Sequence, residues 1–141
     1  MTRVTQVPEA LTQRIIGCAI TVHEQLGPGF LEAVYQSCFA LELEASGLEF
    51  TRQRKIPLVY RGVQICASYR FDFVIENSVL VEVKAVEALS PVHRAQAINY
   101  LKLTGLPVGL LVNFNVALLT HGIRRLVHPD LYQKVSDFGA L

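Results

Sequence analysis

The sequence predicts an α/β fold of the mixed α+β kind: a mixed sheet flanked by helices, in the order ααβββαβ followed by a short C-terminal β element. Three observations predict it. Apolar residues recur at helical spacing before residue 47, the pattern then changes to period two between residues 50 and 86, and a well-signalled helix separates those strands from a continuous apolar run at 108–113.

From Leu11 to Leu26, the residues Leu11, Ile15, Cys18, Ala19, Val22 and Leu26 form one helical stripe, and Gly27-Pro28-Gly29 breaks it. A second helix is expected over roughly Phe30 to Ser46, with Leu31, Val34, Cys38, Leu41 and Ala45 on one face and Gly47 just past its end. Phe50 to Tyr60 reads as the first strand, and Arg61-Gly62 as the turn into the second. There Tyr69, Phe71, Phe73 and Ile75 alternate with Ser68, Arg70, Asp72 and Val74. Glu76-Asn77-Ser78 turns the chain into a third strand, Val79 to Val86. Val79, Val81, Val83 and Ala85 share one of its faces, and Leu80, Glu82, Lys84 and Val86 the other.

Ser90-Pro91 supplies an N-cap and an N1 proline for a helix that runs to about Thr104, where Gly105 and Pro107 stop it. Val108 to Asn113 has the unbroken apolar character of a buried central strand. Leu118 to Val127 reads as a last hairpin turning at Thr120-His121-Gly122.

At 141 residues the chain fits one domain, residues 1–141 with a core over about 11–127. Hydrophobic residues make up 51% and charged residues 18%, which excludes a disordered chain and is compatible with an apolar contact between copies, such as a homodimer. No apolar run approaches the roughly 20 residues of a membrane-spanning helix, so no membrane partner is expected. Met1 to Glu9 has no apolar signal segment, and the expected address is cytoplasmic. Cys18, Cys38 and Cys66 are odd in number and widely spaced, without a Cys-x-x-Cys pair. Neither a disulfide framework nor a zinc site follows, and all three read as small buried hydrophobes. With 13 Lys and Arg against 12 Asp and Glu, the net charge of +1 shows no overall basic bias, although Arg52, Arg54, Lys55, Arg61, Arg70, Arg124 and Arg125 are available to cluster. A serine or cysteine nucleophile with a histidine base has no signature here, and Gly27-Pro28-Gly29 lacks the Lys-Ser/Thr of a phosphate loop.

The chemistry concentrates on the second and third strands. Asp72 and Glu82 are acids inside hydrophobic strands, where burial costs several kcal/mol unless the charge is paired or holds a cation. Glu82 and Lys84, two apart, share a face. If the strands pair as a hairpin, Asp72 joins them. Two carboxylates with a nearby lysine suit phosphodiester hydrolysis: the acids hold a hard divalent cation, and the lysine stabilises developing charge or orients water. The alternative from spacing alone is a salt bridge on a solvated sheet face. Glu32, in the first turn of the second helix, also has the simpler reading of an acid favoured by the helix dipole. Gln96 and Tyr100, four apart on the third helix with His93 a turn earlier, either hold a phosphate, base or water, or form a helix edge with a buried tyrosine. His23 reads as a core histidine, while His121 and His128 have no ligand partner at useful spacing.

Taken together, these residues carry a resemblance. Gly29-Phe30-Leu31-Glu32-Ala33-Val34-Tyr35 fits Gly-x-x-Glu-x-x-Tyr. It is followed by Tyr69-Arg70-Phe71-Asp72, then Val81-Glu82-Val83-Lys84-Ala85-Val86-Glu87, then Gln96-x-x-x-Tyr100. The set resembles the GxxExxY protein family, a branch of the PD-(D/E)XK nuclease superfamily, over roughly Leu11 to Val127. Val22 to Gly29, Leu89 to His93 and Val112 to Asn115 look like further family segments. The resemblance implies a restriction-endonuclease-like core with a central mixed sheet of about four strands. It also implies Glu32, Asp72 and Glu82 as metal-binding acids for Mg²⁺ or Mn²⁺, Lys84 as the catalytic cation, and Gln96 and Tyr100 as a Gln-x-x-x-Tyr motif. No position in this set departs from the pattern. The expected function is divalent-metal-dependent hydrolysis of DNA or RNA. The alternative is a non-catalytic, oligomeric nucleic-acid- or protein-binding module that retains a metal site.

Overall fold

The computed structural model describes residues 8–131, with the backbone alone at 66–68, so the side chains of Cys66 and Ser68 lie outside the described residues. The elements follow the expected order: helices α1 (Glu9–Leu26) and α2 (Glu32–Ala45), strands β1 (Phe50–Tyr60), β2 (Val63–Ile75) and β3 (Val79–Lys84), helix α3 (Pro91–Thr104), strand β4 (Val108–Asn113), a 3₁₀ turn (Leu119–Gly122) and strand β5 (Ile123–Val127). The strands form one mixed sheet in the order β1-β2-β3-β4-β5. Only β3 and β4 run parallel, and α3 makes the crossover that parallel strands require.

Two apolar layers sandwich the sheet. On one face α1 and α2 contribute Ile15, Val22, Tyr35, Phe39 and Leu43 against Phe73, Ile75, Val79, Val81, Val83, Leu110 and Val112. On the other, α3 places Ala97 and Leu101 against Phe71, Val74, Leu80 and Leu126. Each large side chain so buried contributes about 1.5–3 kcal/mol. The α3 start is as expected. The Ser90 hydroxyl accepts from the His93 N–H while His93 Nδ1 accepts from the Ser90 N–H, and Gly105 closes the helix at φ 74°. Among the cysteines with described side chains, Cys18 is buried and Cys38 half-buried, both as free thiols.

Five expectations change. The buried face of α2 is Tyr35, Gln36, Phe39, Ala40 and Leu43, while Leu31, Leu41 and Ala45 of the expected stripe are exposed. The second helix starts at Glu32 rather than Phe30, because Leu31 is extended, the Gly29 N–H is held by Asn115 Oδ1 and the Phe30 N–H by the Tyr35 hydroxyl. The third strand stops at Lys84 rather than Val86. There the Asn113 carboxamide takes over, accepting from the Val86 N–H and donating to the Val86 carbonyl as a neighbouring strand would. Leu118 to Val127 is not a hairpin: Leu119–Gly122 coils as a 3₁₀ turn, and β5 pairs with β4 instead. Finally, β2 does not keep one aromatic face. Phe73 and Ile75 pack toward α1 and α2, but Phe71 packs toward α3. The alternation slips at Asp72, where the β1–β2 register skips the Gln53/Asp72 position and Gln53 adopts φ 53°.

Candidate active site

That slip builds the site. Pairing between β2 and β3 covers only Phe73 to Ile75 against Val79 to Val81. Beyond it the strands part, and side chains satisfy the freed backbone groups. The Val83 N–H donates to Asp72 Oδ2 at 2.8 Å, and the Asp72 N–H to Glu82 Oε1 at 3.4 Å. Two carboxylates thus stand where ladder bonds would run, which accounts for the tolerance of acids in these apolar strands.

Glu82 is 5% exposed, on the face of β3 opposite Val81 and Val83. Burial pushes its carboxyl up to about 9, with the charge of Asp72 and the contact between the two acids adding to the rise and Lys84 opposing it. In this arrangement Glu82 holds a proton at neutral pH. Lys84, half-buried, follows on the same face. It is not salt-bridged to the acids: among the described residues the one ion pair joins Glu9 to Arg125. The simple salt-bridge reading of the cluster therefore does not describe it.

Two helices bring further groups. Burial raises the Glu32 carboxyl against the pull of Lys84, while Asp72 adds to the rise and His93 opposes it, so Glu32 stands in the field of all three. Burial raises the Tyr100 hydroxyl as well, with Glu82, Tyr69 and Asp72 each contributing. The Tyr100 ring packs edge-on against Phe71 and Tyr69, at 4.8 and 5.2 Å between centroids. Glu32, Asp72, Glu82, Lys84 and Tyr100 are thereby brought to one region. Gln96 lies one turn before Tyr100, is exposed, and has no hydrogen bond to another described residue.

The Gly-x-x-Glu-x-x-Tyr motif resolves into a support and a functional group. The buried Tyr35 hydroxyl donates to the Gly27 carbonyl at 2.5 Å and accepts from the Phe30 N–H at 3.1 Å, and its ring stacks on Phe114 at 4.7 Å. Gly29, at φ 105°, donates its N–H to Asn115 Oδ1. These contacts fix the loop that delivers Glu32. Behind Glu32, Gln36 Nε2 donates to Glu32 Oε2 at 3.5 Å, and Gln36 Oε1 accepts from Gln53 Nε2 at 2.7 Å.

Sequence reasoning misses Gln36, Gln53 and Asn113. Gln36 carries a signal, being a polar residue four after Glu32 on the buried side of α2, and Asn113 carries one as the amide ending an apolar strand. Gln53 carries none. His23, read as a core histidine, is half-buried and bonds through Nε2 to the Val116 carbonyl.

As a donor set, Asp72 and Glu82 suit a hard divalent cation: two carboxylates linked through one backbone segment, one of them buried with no cation paired to it. Among the described residues no three acid, histidine or cysteine side chains already surround one point that would hold an ion.

A mixed sheet that parts around Asp72 and the buried Glu82, with a lysine on the same strand and an acid delivered by a helix, defines an α/β domain with a carboxylate–lysine cluster. The model of the PD-(D/E)XK nuclease superfamily matches residues 9–126, and the chain belongs to that superfamily. Compared with curated proteins and with solved structures, it finds no match. No helix among the described residues is long and apolar enough to cross a membrane.

Proposed function

We propose that this protein is a Mg²⁺- or Mn²⁺-dependent nuclease of the GxxExxY branch, hydrolysing phosphodiester bonds of DNA or RNA within one nuclease-like domain spanning residues 1–141. The observation that carries the reading is the buried Glu82 bonded to the half-buried Asp72 strand segment, with Lys84 beside them and unpaired among the described residues. Asp72 and Glu82 hold the ion, with Glu32 as a third ligand. A bound ion supplies positive charge to the scissile phosphate and acidifies water. The Lys84 ammonium is free to meet the charge that develops on the phosphate oxygens. Tyr100 and Gln96 position the strand, Tyr100 from the floor of the site and Gln96 from its exposed rim.

One observation favours a second reading, a non-catalytic module with a residual metal site: no three ligands are yet gathered among the described residues. A single experiment separates the two. Purified protein is incubated with single- and double-stranded DNA and RNA plus Mn²⁺, beside Asp72→Ala and Lys84→Ala. Metal-dependent cutting that disappears in both variants supports the nuclease. Cutting that persists undiminished in either variant overturns it, and Mn²⁺ binding without turnover favours the module.

A further inference from the structure

Among the described residues, β2 beyond Asp72 has β1 as its one strand partner, so the distal halves of β1 and β2 leave the sheet as a two-stranded arm. At roughly 3.3 Å per residue, the run from Asp72 back to the Arg61–Gly62 turn reaches about 30 Å. Near the sheet one face of the arm is covered, since Ile56 and Tyr69 pack on the α3 layer. Toward the tip, Val59, Tyr60 and Val63 are each more than half exposed.

Charge is segregated onto this arm. Residues 54–71 hold four of the chain's 13 basic residues, Arg54, Lys55, Arg61 and Arg70, and none of its 12 acids. All four cations are exposed, and none has an ion-pair partner among the described residues. The near-neutral total conceals a basic arm on an acidic body. Moreover, Lys55 sits directly across from Arg70 in the ladder. Like charges in that position repel, which disfavours the pairing unless an anion lies against it. Arg54, one register position away and paired with Phe71, lies on the opposite face, so cations flank both sides of the ribbon.

We propose that the β1–β2 arm grips double-stranded nucleic acid, with Arg54, Lys55, Arg61 and Arg70 on the phosphates and the ribbon lying along a groove toward the acid site. Three features favour a duplex. A two-stranded ribbon is the shape a major groove admits. The reach of the arm approaches one helical turn, about 34–36 Å. Single-strand binders present aromatic rings with free faces for base stacking, whereas here Phe71 and Phe73 are buried, Tyr69 packs on Tyr100, and Arg61 lies over the Tyr60 ring. The proposal rests on the nuclease reading only for the substrate's place at the same site.

The test measures binding apart from chemistry. Fluorescence anisotropy in EDTA follows a labelled duplex of about two turns, the single strand of the same sequence, and phosphatidylserine vesicles. The proteins are the wild type, the Arg54→Gln/Lys55→Gln/Arg61→Gln/Arg70→Gln variant, and the milder Lys55→Gln/Arg70→Gln pair in case the fourfold variant does not fold. Wild type should prefer duplex. The fourfold variant should bind at least tenfold more weakly, with a salt slope shallower by about 0.9 for each phosphate it no longer neutralises. An unchanged slope, tighter binding to single strands, or binding to vesicles but not duplex overturns the proposal. Arm-dependent duplex binding without Mn²⁺-dependent cutting would remove the nuclease reading and leave the arm standing. Cutting that ignores the arm does the reverse.

Discussion

At the scale of single residues, the decisive pair is Glu82 and Lys84, two apart on β3 and different in what they do. Glu82 is buried and holds its proton, while Lys84 is half-buried and keeps its ammonium free of any ion pair among the described residues. Removing each should therefore fail differently. Lys84→Ala should lower the cleavage rate about 10²–10³-fold, the usual cost of one preorganised charge in the transition state, while the heat of Mn²⁺ binding persists. Glu82→Gln keeps size and burial but removes the ligand charge, so both cleavage and calorimetric Mn²⁺ binding should disappear. If Lys84→Ala also abolished metal binding, the lysine would be shaping the site rather than acting on the phosphate.

At the scale of elements, the site depends on three connections that hold α2, the end of β3 and the end of β4 together. Tyr35 ties the loop before α2, and Asn113 stands in for a strand beside Val86. Gly122 lies so close to the Asn113 carbonyl that a Cβ there would collide with it. Tyr35→Phe removes two hydrogen bonds, at a cost of about 1–2 kcal/mol. It should reduce cleavage through a misplaced Glu32 more than it lowers the melting temperature, as thermal melts run beside the cleavage assay would show. Asn113→Ala strands the Val86 N–H and carbonyl and should cost at least about 2 kcal/mol in urea unfolding. These connections also mark where the sequence is readable. Helices α1 and α3 and the order of elements along the chain follow from apolar periodicity and from Gly27, Gly47, Ser90 and Pro91, because those signals are local. The buried face of α2 does not, since Leu31 and Leu41 of the expected stripe are exposed. The expected site acids and lysine come from polar residues inside apolar strands, reinforced by motif resemblance. What escapes is set by partners distant in the chain. The face change at Asp72 needs Gln53 across the ladder, the end of β3 needs Asn113, and the pinned start of α2 needs Asn115.

At the scale of the whole molecule, the buried Glu82 carboxyl links folding to both pH and metal. In the folded chain the Glu82 carboxyl titrates near 9, and in the unfolded chain near its ordinary 4.5. Between those values the folded state binds the extra proton. Its contribution to stability is thus complete below the lower value and is lost as pH rises through the upper one, at no more than about 1.4 kcal/mol per pH unit. Divalent metal works in the opposite sense, because it binds the ionised acids and releases the proton. At 100 times its dissociation constant it would add about 2.7 kcal/mol, with apparent affinity rising toward alkaline pH. Urea unfolding at pH 6 and pH 8.5, with and without Mn²⁺, should therefore show an apoprotein weaker at pH 8.5 and a metal-bound protein in which that deficit shrinks. Glu82→Gln should flatten the pH dependence and abolish the response to Mn²⁺. An apoprotein that instead gains stability toward pH 8.5, in step with Glu82, would mean the carboxylate is ionised and already compensated in the folded state. The opening between β2 and β3 would then be a closed polar network rather than a place kept for an ion.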